Sequence, residues 1–502
     1  MSKKYASVCS VAFTGIEPVE VKVMAHITTG LPAFHVVGLG DGAVKSMEDR
    51  VLPALENSGY VIPNGVITIS MSLALTRKTG YGYDLPVAIA ILEATEQIKP
   101  VSKGAVIFGG LDRQGQPTAS DGLLVAAKYA SENNKTLVCS DDAEIPSIID
   151  IDVAGVGFLE TLRDGIEDEH GKKIAGEVFY KRKVKVKEPP STAEQDYLLG
   201  SGHINLLSQE FIRAAVIAAA GKHSTLLHSQ DLHKNPVFAN ILHISLPAPS
   251  KEEQLKVGLL RSVAGRHYVQ GRPLSIASMY DTVTHLVGGG NPISPGLVSL
   301  AHAGVLFMGS VEKYSHTSLL PIAQAHKDGK VVIIRAQGSV EYPANFQLVA
   351  TVSPCACAKD TASWYRQGCS CSSLDLAKWQ EKIRQLPFYS DIQLHVPAQL
   401  SKTTSTTTHT DIKEAVERVY KLQEERGTFN SAAALEDLLG MCDTEVDTLL
   451  KEKAKTLNLT GRQVKNIMRI SRTIADLEGS TMIERSHVEE ALQYTCTAQQ
   501  AK

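Results

Sequence analysis

Apolar and polar residues alternate along VEVKVMAHIT (residues 19–28) and VITISMSLAL (66–75), the period of half-buried strands. The stretch before the first of these, MSKKYASVCSVAFTG, reads as an opening strand paired with it in a hairpin. Between the two alternating segments, DGAVKSMEDRVLPALENSGY repeats its apolar residues at helical spacing and ends at a Ser-Gly stop. A second helix is predicted in VAIAILEAT, after Asp84-Leu85-Pro86. In the middle third, FIRAAVIAAAG reads as a buried helix, followed by the short apolar runs STLLH, GVLFMG, KVVIIRA, YPANFQLVAT and DIQLHV. Strands interleaved with helices predict a parallel sheet flanked by helices. From Asp411 onward the pattern is helical throughout, closing with GRQVKNIMRISRTIADLEGS and HVEEALQY.

Two stretches break this periodicity. YKRKVKVKEPPSTAEQDY (180–197) is polar and carries the tandem Pro189-Pro190, and SKTTSTTTHT (401–410) is a low-complexity Ser/Thr run. They divide the chain into an α/β unit over 1–185, a second over 191–397 and an all-α unit over 411–502. A length of 502 residues agrees with about three domains. Hydrophobic residues at 43% and charged residues at 21% are ordinary for a globular protein. No apolar run approaches the length of a membrane helix. The two N-terminal lysines precede an alternating segment rather than a signal-peptide core, so a cytoplasmic protein without membrane contact is expected. The net charge of -3 gives no overall attraction for nucleic acid, so any such contact needs a local basic patch.

One patch qualifies. Lys181, Arg182, Lys183, Lys185 and Lys187 alternate with apolar residues and would set a row of positive charges near a DNA backbone, or simply form a solvated strand face. Four of the eight cysteines cluster as Cys355-Ala-Cys357 and Cys369-Ser-Cys371. Four soft thiolates brought together suit a closed structural zinc site, although one-residue spacing is tighter than usual, and reduced free thiols are the alternative.

Several long stretches together resemble the ComM (YifB) group, the magnesium-chelatase-like AAA+ proteins of bacteria. These are GLPAFHVVGLGDGAVKSMEDRV, KTGYGYDLPVAIAIL, LVGGGNPISPGLVSLAHAGVLF, PANFQLVATVSPCAC, SRTIADLEGS and EEALQY. The resemblance implies a Lon-protease-like α/β N-terminal domain, an AAA+ P-loop-type parallel α/β core and an all-α C-terminal lid. It also implies a hexameric ring through which DNA passes, and a part in DNA branch migration during natural transformation.

Set against that family, the chemistry is missing. Where Lon carries its nucleophilic serine, this chain has Gly82 within Lys78–Asp84, so no protease activity is expected. The phosphate loop would fall at 227–236, and that stretch contains no glycine. Ser229 and Asp231 lie in it, Lys234 stands one residue off the lysine position, Asn235 occupies that position, and Pro236 replaces the hydroxyl residue. The strand that should end in two magnesium- and water-orienting acids ends in Gly309 and Ser310, with Glu312 two residues on and expected to be solvated. Ser353 replaces the water-positioning Asn, and Asp391 reverses the charge of the arginine finger. Arg462, Arg469 and Arg472 fit the family's lid arginines, either touching a phosphate or a neighbour or standing as exposed helix residues. The expectation is therefore a pseudo-ATPase binding neither ATP nor magnesium. It would act as a ring-forming scaffold for DNA or protein, alone or co-assembled with an active paralogue; the alternative is an active translocase with a non-standard nucleotide site.

Overall fold

The computed structural model describes residues 4–37, 41–72, 82–101, 104–164, 209–228, 234–335, 338–353, 355–357, 371–389, 394–397 and 409–495. In chain order the main elements of the first unit are β1 (Lys4–Thr14), β2 (Glu17–Thr28), β3 (Ala33–Val37), α1 (Asp41–Asn57), β4 (Val66–Met71), α2 (Asp84–Ala94), β5 (Ala105–Ile107), α3 (Leu123–Glu132), β6 (Thr136–Ser140) and β7 (Val153–Val156). The middle unit has α4 (Gln209–Gly221), β8 (Thr225–His228), α5 (Lys234–Ser245), α6 (Lys251–Val263), β9 (Leu274–Ala277), β10 (Val305–Met308), α7 (His316–Asp328), β11 (Lys330–Arg335), β12 (Gly338–Pro343), β13 (Gln347–Val352), α8 (Ser373–Arg384) and β14 (Leu394–Pro397). Helices α9 (His409–Arg426), α10 (Thr444–Thr456), α11 (Gly461–Glu478) and α12 (Arg485–Thr495) follow.

The opening hairpin forms as the alternation predicts, with Thr14 opposite Glu17 and Lys4 opposite Ile27. Val21, Val23, Ala25 and Ile27 of β2 point into the core while the residues between them do not. A four-stranded mixed sheet results, in the order β1-β2-β4-β3, beside a parallel sheet β5-β6-β7. Helix α2 is buried along almost its whole length, which fits its continuous rather than periodic apolar sequence.

The middle unit is built on a five-stranded sheet in the order β9-β10-β13-β8-β14, with every neighbouring pair parallel. Its inner strands β10, β13 and β8 are buried residue after residue because both their faces are covered. Successive residues nevertheless serve different cores. Leu226, Leu306, Met308, Leu348, Ala350 and Val352 enter a cluster shared with Val106, Leu123, Leu124 and Leu137 of the first unit. Leu227, Val305, Phe307, Val349, Leu394 and Val396 enter a cluster shared with Val416, Ile467, Ile474 and Val488 of the C-terminal helices. The units are thus joined through the sheet. Where the start of α3 meets the end of α6, the amides of Gly122 and Leu124 donate to the carbonyl and hydroxyl oxygens of Ser262 at 3.0 and 3.1 Å.

KVVIIRA departs from the parallel-sheet expectation. It forms β11 of an antiparallel hairpin with β12, from Lys330 opposite Pro343 to Arg335 opposite Gly338. Val331 and Ile333 are buried whereas Val332 and Ile334 are exposed, so this run has one covered face and could not serve as a central strand. Among the described residues, no helix is long and apolar enough to cross a membrane.

Candidate functional site

In an open parallel sheet a ligand sits beyond the carboxyl ends of the strands, where the chain order reverses. Here that point lies around β8, which starts the sheet yet stands between β13 and β14. Residues 229–233, including Ser229 and Asp231, lie outside the described residues, as does Asp391. Lys234 and Asn235 begin α5, and Pro236 falls in its first turn. A proline there fits the helix but supplies no N–H, removing a donor that a helix start would otherwise present to a phosphate.

His228, the last residue of β8, lies beside His395 of β14, with Nε2 and Nδ1 3.4 Å apart and the rings stacked at 5.7 Å. The Tyr389 ring meets His395 edge-on at 5.3 Å. Burial pushes the His228 imidazole down to about 4 and that of His395 to about 3, the latter helped by repulsion from His228. Both rings are therefore neutral near pH 7, and they add no positive charge where a polyphosphate would need it. The pairing was not legible beforehand, because the two residues are 167 positions apart and meet only through the β8–β14 register.

Beyond β10, Gly309 and Ser310 stand at the strand exit. Ser310 takes a left-handed conformation with φ 52°, and its amide donates to Thr351 Oγ1 at 2.8 Å. Glu312 corrects an expectation: it is buried, at 6% exposure, not solvated. The 3-10 turn Val311–Lys313 folds it inward, where Ser353 Oγ donates to its Oε1 at 2.9 Å. Its Oε2 has no partner among the described residues. The Ser353 carbonyl in turn accepts the indole N–H of Trp379 on α8 at 3.0 Å.

Two residues past Ser353 the cysteine cluster begins. The sulfurs of Cys355, Cys357 and Cys371 all lie within 4.8 Å of one another, with those of Cys355 and Cys357 3.1 Å apart. Cys355 is buried; Cys357 and Cys371 reach the surface in part. Three thiols converging in this way form a donor set that could hold a metal ion. Cys369 lies outside the described residues. Beside the cluster, a cleft of about 500 Å³ is lined by Cys357, Cys371, Asp375, Lys378, Trp379 and Lys382.

The three arginines of α11 are separated by the fold. Arg462 is exposed in the first turn. Arg469 is half-buried, donates from Nε to the Ala433 carbonyl at 3.0 Å, and has its pKa lowered by burial. Arg472 fits neither expected role, being 3% exposed and committed to the helical unit. Its guanidinium grips Asp476 Oδ1 at 2.7 and 3.0 Å and the carbonyls of Ser480 and Thr481 at 2.5 and 2.8 Å. Asp476 Oδ2 also accepts from Arg426 and Asn430.

In the first unit, Lys78–Tyr81 lie outside the described residues, but Gly82 does not. A Cβ at Gly82 would fall 2.7 Å from Cζ of Phe108, so the close approach of that buried ring demands glycine. The next residues hold the turn down: Asp84, fully buried at the start of α2, receives two hydrogen bonds from Arg50 of α1, at 2.6 and 3.0 Å. Burial raises the Asp84 pKa, and Arg50 only partly offsets it. The basic run Lys181, Arg182, Lys183, Lys185 and Lys187, with the Pro189-Pro190 stretch, lies outside the described residues.

This order of strands and stations agrees with what sequence comparison finds. Three family models match in succession: "Subunit ChlI of Mg-chelatase" over residues 23–142, "Magnesium chelatase, subunit ChlI" over 206–406 and "Magnesium chelatase, subunit ChlI C-terminal" over 404–495. The "Competence protein ComM" of Haemophilus influenzae is 28% identical over 508 residues, 97% of each chain. The "Uncharacterized protein YifB" of Escherichia coli is 28% identical over 500 residues, covering 96% of this chain and 95% of the relative. The "Uncharacterized protein Rv2897c" of Mycobacterium tuberculosis is 32% identical over 388 residues, 74% of this chain and 73% of that one. A parallel core, three family models matched in succession and relatives that cover from 74% to 97% of it make the chain a member of the ComM/YifB family of magnesium-chelatase-like AAA+ proteins.

Proposed function

We propose that this protein is a pseudo-ATPase of its family: a ring-forming scaffold that binds DNA or protein, keeps the AAA+ architecture and does not split ATP. Its first unit acts as a Lon-like domain without a nucleophile, and the C-terminal helices act as the lid. The observation that carries the reading is the β10 exit, where Gly309 and Ser310 offer no carboxylate for magnesium and the Ser310 amide is turned onto Thr351. Pro236 in the first turn of α5 and the uncharged His228–His395 pair support it from the neighbouring strand. The likeness to a competence protein suggests work in DNA uptake or recombination, as a homo-oligomeric ring or co-assembled with an active paralogue.

Titrating ATP–magnesium calorimetrically into the purified chain tests this directly, and no saturable heat is expected up to millimolar nucleotide. Saturable micromolar binding, with hydrolysis abolished by Lys234→Ala, would overturn it. One observation favours the second reading, an active enzyme with a displaced acid. Glu312 is a buried carboxylate two residues past the usual position, with one oxygen unpartnered. Measurable hydrolysis that Glu312→Gln removes would establish that reading instead.

We further propose that Cys355, Cys357 and Cys371, with Cys369 as the fourth ligand, hold a structural zinc ion. A closed thiolate shell would fix the loop between β13 and α8 and perform no chemistry. Metal analysis should give close to one zinc per chain after gentle purification, and less than about half would count against the site.

A further inference from the structure

We infer that the cleft beside the cysteine cluster is a binding site for single-stranded nucleic acid, with Trp379 as the stacking platform and Lys378 and Lys382 as the phosphate contacts. The inference rests on the scaffold reading and names the surface that such a scaffold would use.

Helix α8 is built to present this surface. A capping box fixes its start: Ser372 Oγ accepts from the Asp375 amide at 3.2 Å, and Asp375 Oδ2 accepts from the Ser372 amide and hydroxyl at 3.0 and 2.7 Å. Lys378 and Lys382 are four residues apart and therefore share one exposed face, with the half-buried Trp379, whose other side packs on the core, next to it. The indole orientation is set by its N–H on the Ser353 carbonyl, at the end of central strand β13. Lys382 Nζ stands 5.3 Å from the centre of the indole ring, so charge and aromatic surface open into the same cleft. Among the described residues, neither lysine forms a salt bridge; the pair on this helix joins Arg384 to Glu381. Asp375 adds one negative charge to the lining, and its carboxylate is already occupied by the capping box.

A volume of about 500 Å³ lies within the range that takes a nucleotide-sized group. Ammonium groups around an aromatic face suit a backbone phosphate with its base unstacked, the combination that single-strand binders use. In a duplex the base faces are already stacked, so Trp379 would have nothing to receive. Among the described residues this cleft joins base-stacking and phosphate-binding chemistry next to a loop that a metal ion would stiffen.

The chain has two tryptophans, Trp364 and Trp379, so a Trp364→Phe background lets fluorescence report on Trp379 alone. Titrating that protein with an oligothymidylate should quench the emission saturably. The exposed double variant Lys378→Glu/Lys382→Glu, tested in the same background, should weaken binding at least tenfold. It should also flatten the dependence of log K on log salt by about 1.4, or about 0.7 for each lost phosphate contact. Trp379→Ala, followed by anisotropy of a labelled oligonucleotide, should weaken binding about five- to a hundredfold. If single strands bind but the lysine variant keeps the wild-type affinity and salt slope, the cleft is not the site, although the scaffold reading stands. Absence of any binding to the wild-type chain would remove the nucleic-acid arm of both. A duplex that quenches Trp379 as strongly as the single strand would overturn the stacking role.

Discussion

Single side chains carry the clearest contrasts within one helix. Arg462 and Arg472 occupy α11 ten positions apart, and the sequence treats them alike. Arg472 is enclosed by Asp476 and two carbonyls, so Arg472→Ala would leave the buried Asp476 carboxylate with, among the described residues, Arg426 and Asn430 alone. The expected cost is about 3–5 kcal/mol in chemical denaturation. Arg462→Ala removes an exposed group and should stay within about 0.5 kcal/mol. Equal effects would mean that Arg472 is not the internal tie described above. The histidine pair predicts a pH dependence. Unfolded imidazoles take up protons below about 6.5, whereas His228 and His395 stay neutral in the fold until about 4 and about 3. The stability tied to their neutrality is complete above pH 6.5, declines as the pH falls, and is gone once it passes those folded values. Urea midpoints at pH 7.5 and 5.0 should therefore differ less in His228→Gln/His395→Gln than in the wild type, and an unchanged difference would refute the assignment.

At the scale of elements, the turn into α2 is governed by a packing requirement. A serine at position 82 would put a side chain into the Phe108 ring, since even a Cβ falls 2.7 Å from it. Gly82→Ser should destabilise the protein by about 1–3 kcal/mol, read from the thermal midpoint, and should create no casein hydrolysis. A stable variant that cleaves casein would show that the turn can still carry a nucleophile. The β10 exit is comparable: a strand keeps its apolar run because two cores need it, while the residues just beyond the strand can change without unfolding it. The strand and the residues that follow it are thus under separate physical constraints.

For the whole molecule, shared cores matter more than linkers. The polar stretches suggest three units joined by tethers, yet alternate residues of β10 and β13 belong to a cluster that extends into the first unit on one face and to one that extends into the C-terminal helices on the other. Unfolding one unit would expose apolar surface that its neighbour covers. Calorimetry should accordingly give one dominant cooperative transition, not three separated ones. Three resolved transitions, each reproduced by an isolated segment, would show that the shared packing contributes little.

Much of this protein was legible without coordinates. The period-2 pattern of β2, the periodic apolar residues of α1 and the helices from residue 409 onward follow from local spacing, because each side chain's direction is dictated by its own backbone. That residues 227–236 hold no glycine and that Gly309 and Ser310 follow β10 could likewise be read directly, since it concerns which residues are present. Tertiary structure decided the rest. Burial of Glu312 depends on a turn that brings it to Ser353, and the fate of Arg472 depends on Asp476, Ser480 and Thr481 closing around it. The placing of KVVIIRA in a hairpin depended on which face found a covering layer. Hydrophobic spacing determines which way a residue points. What waits there for it is settled only when distant segments meet.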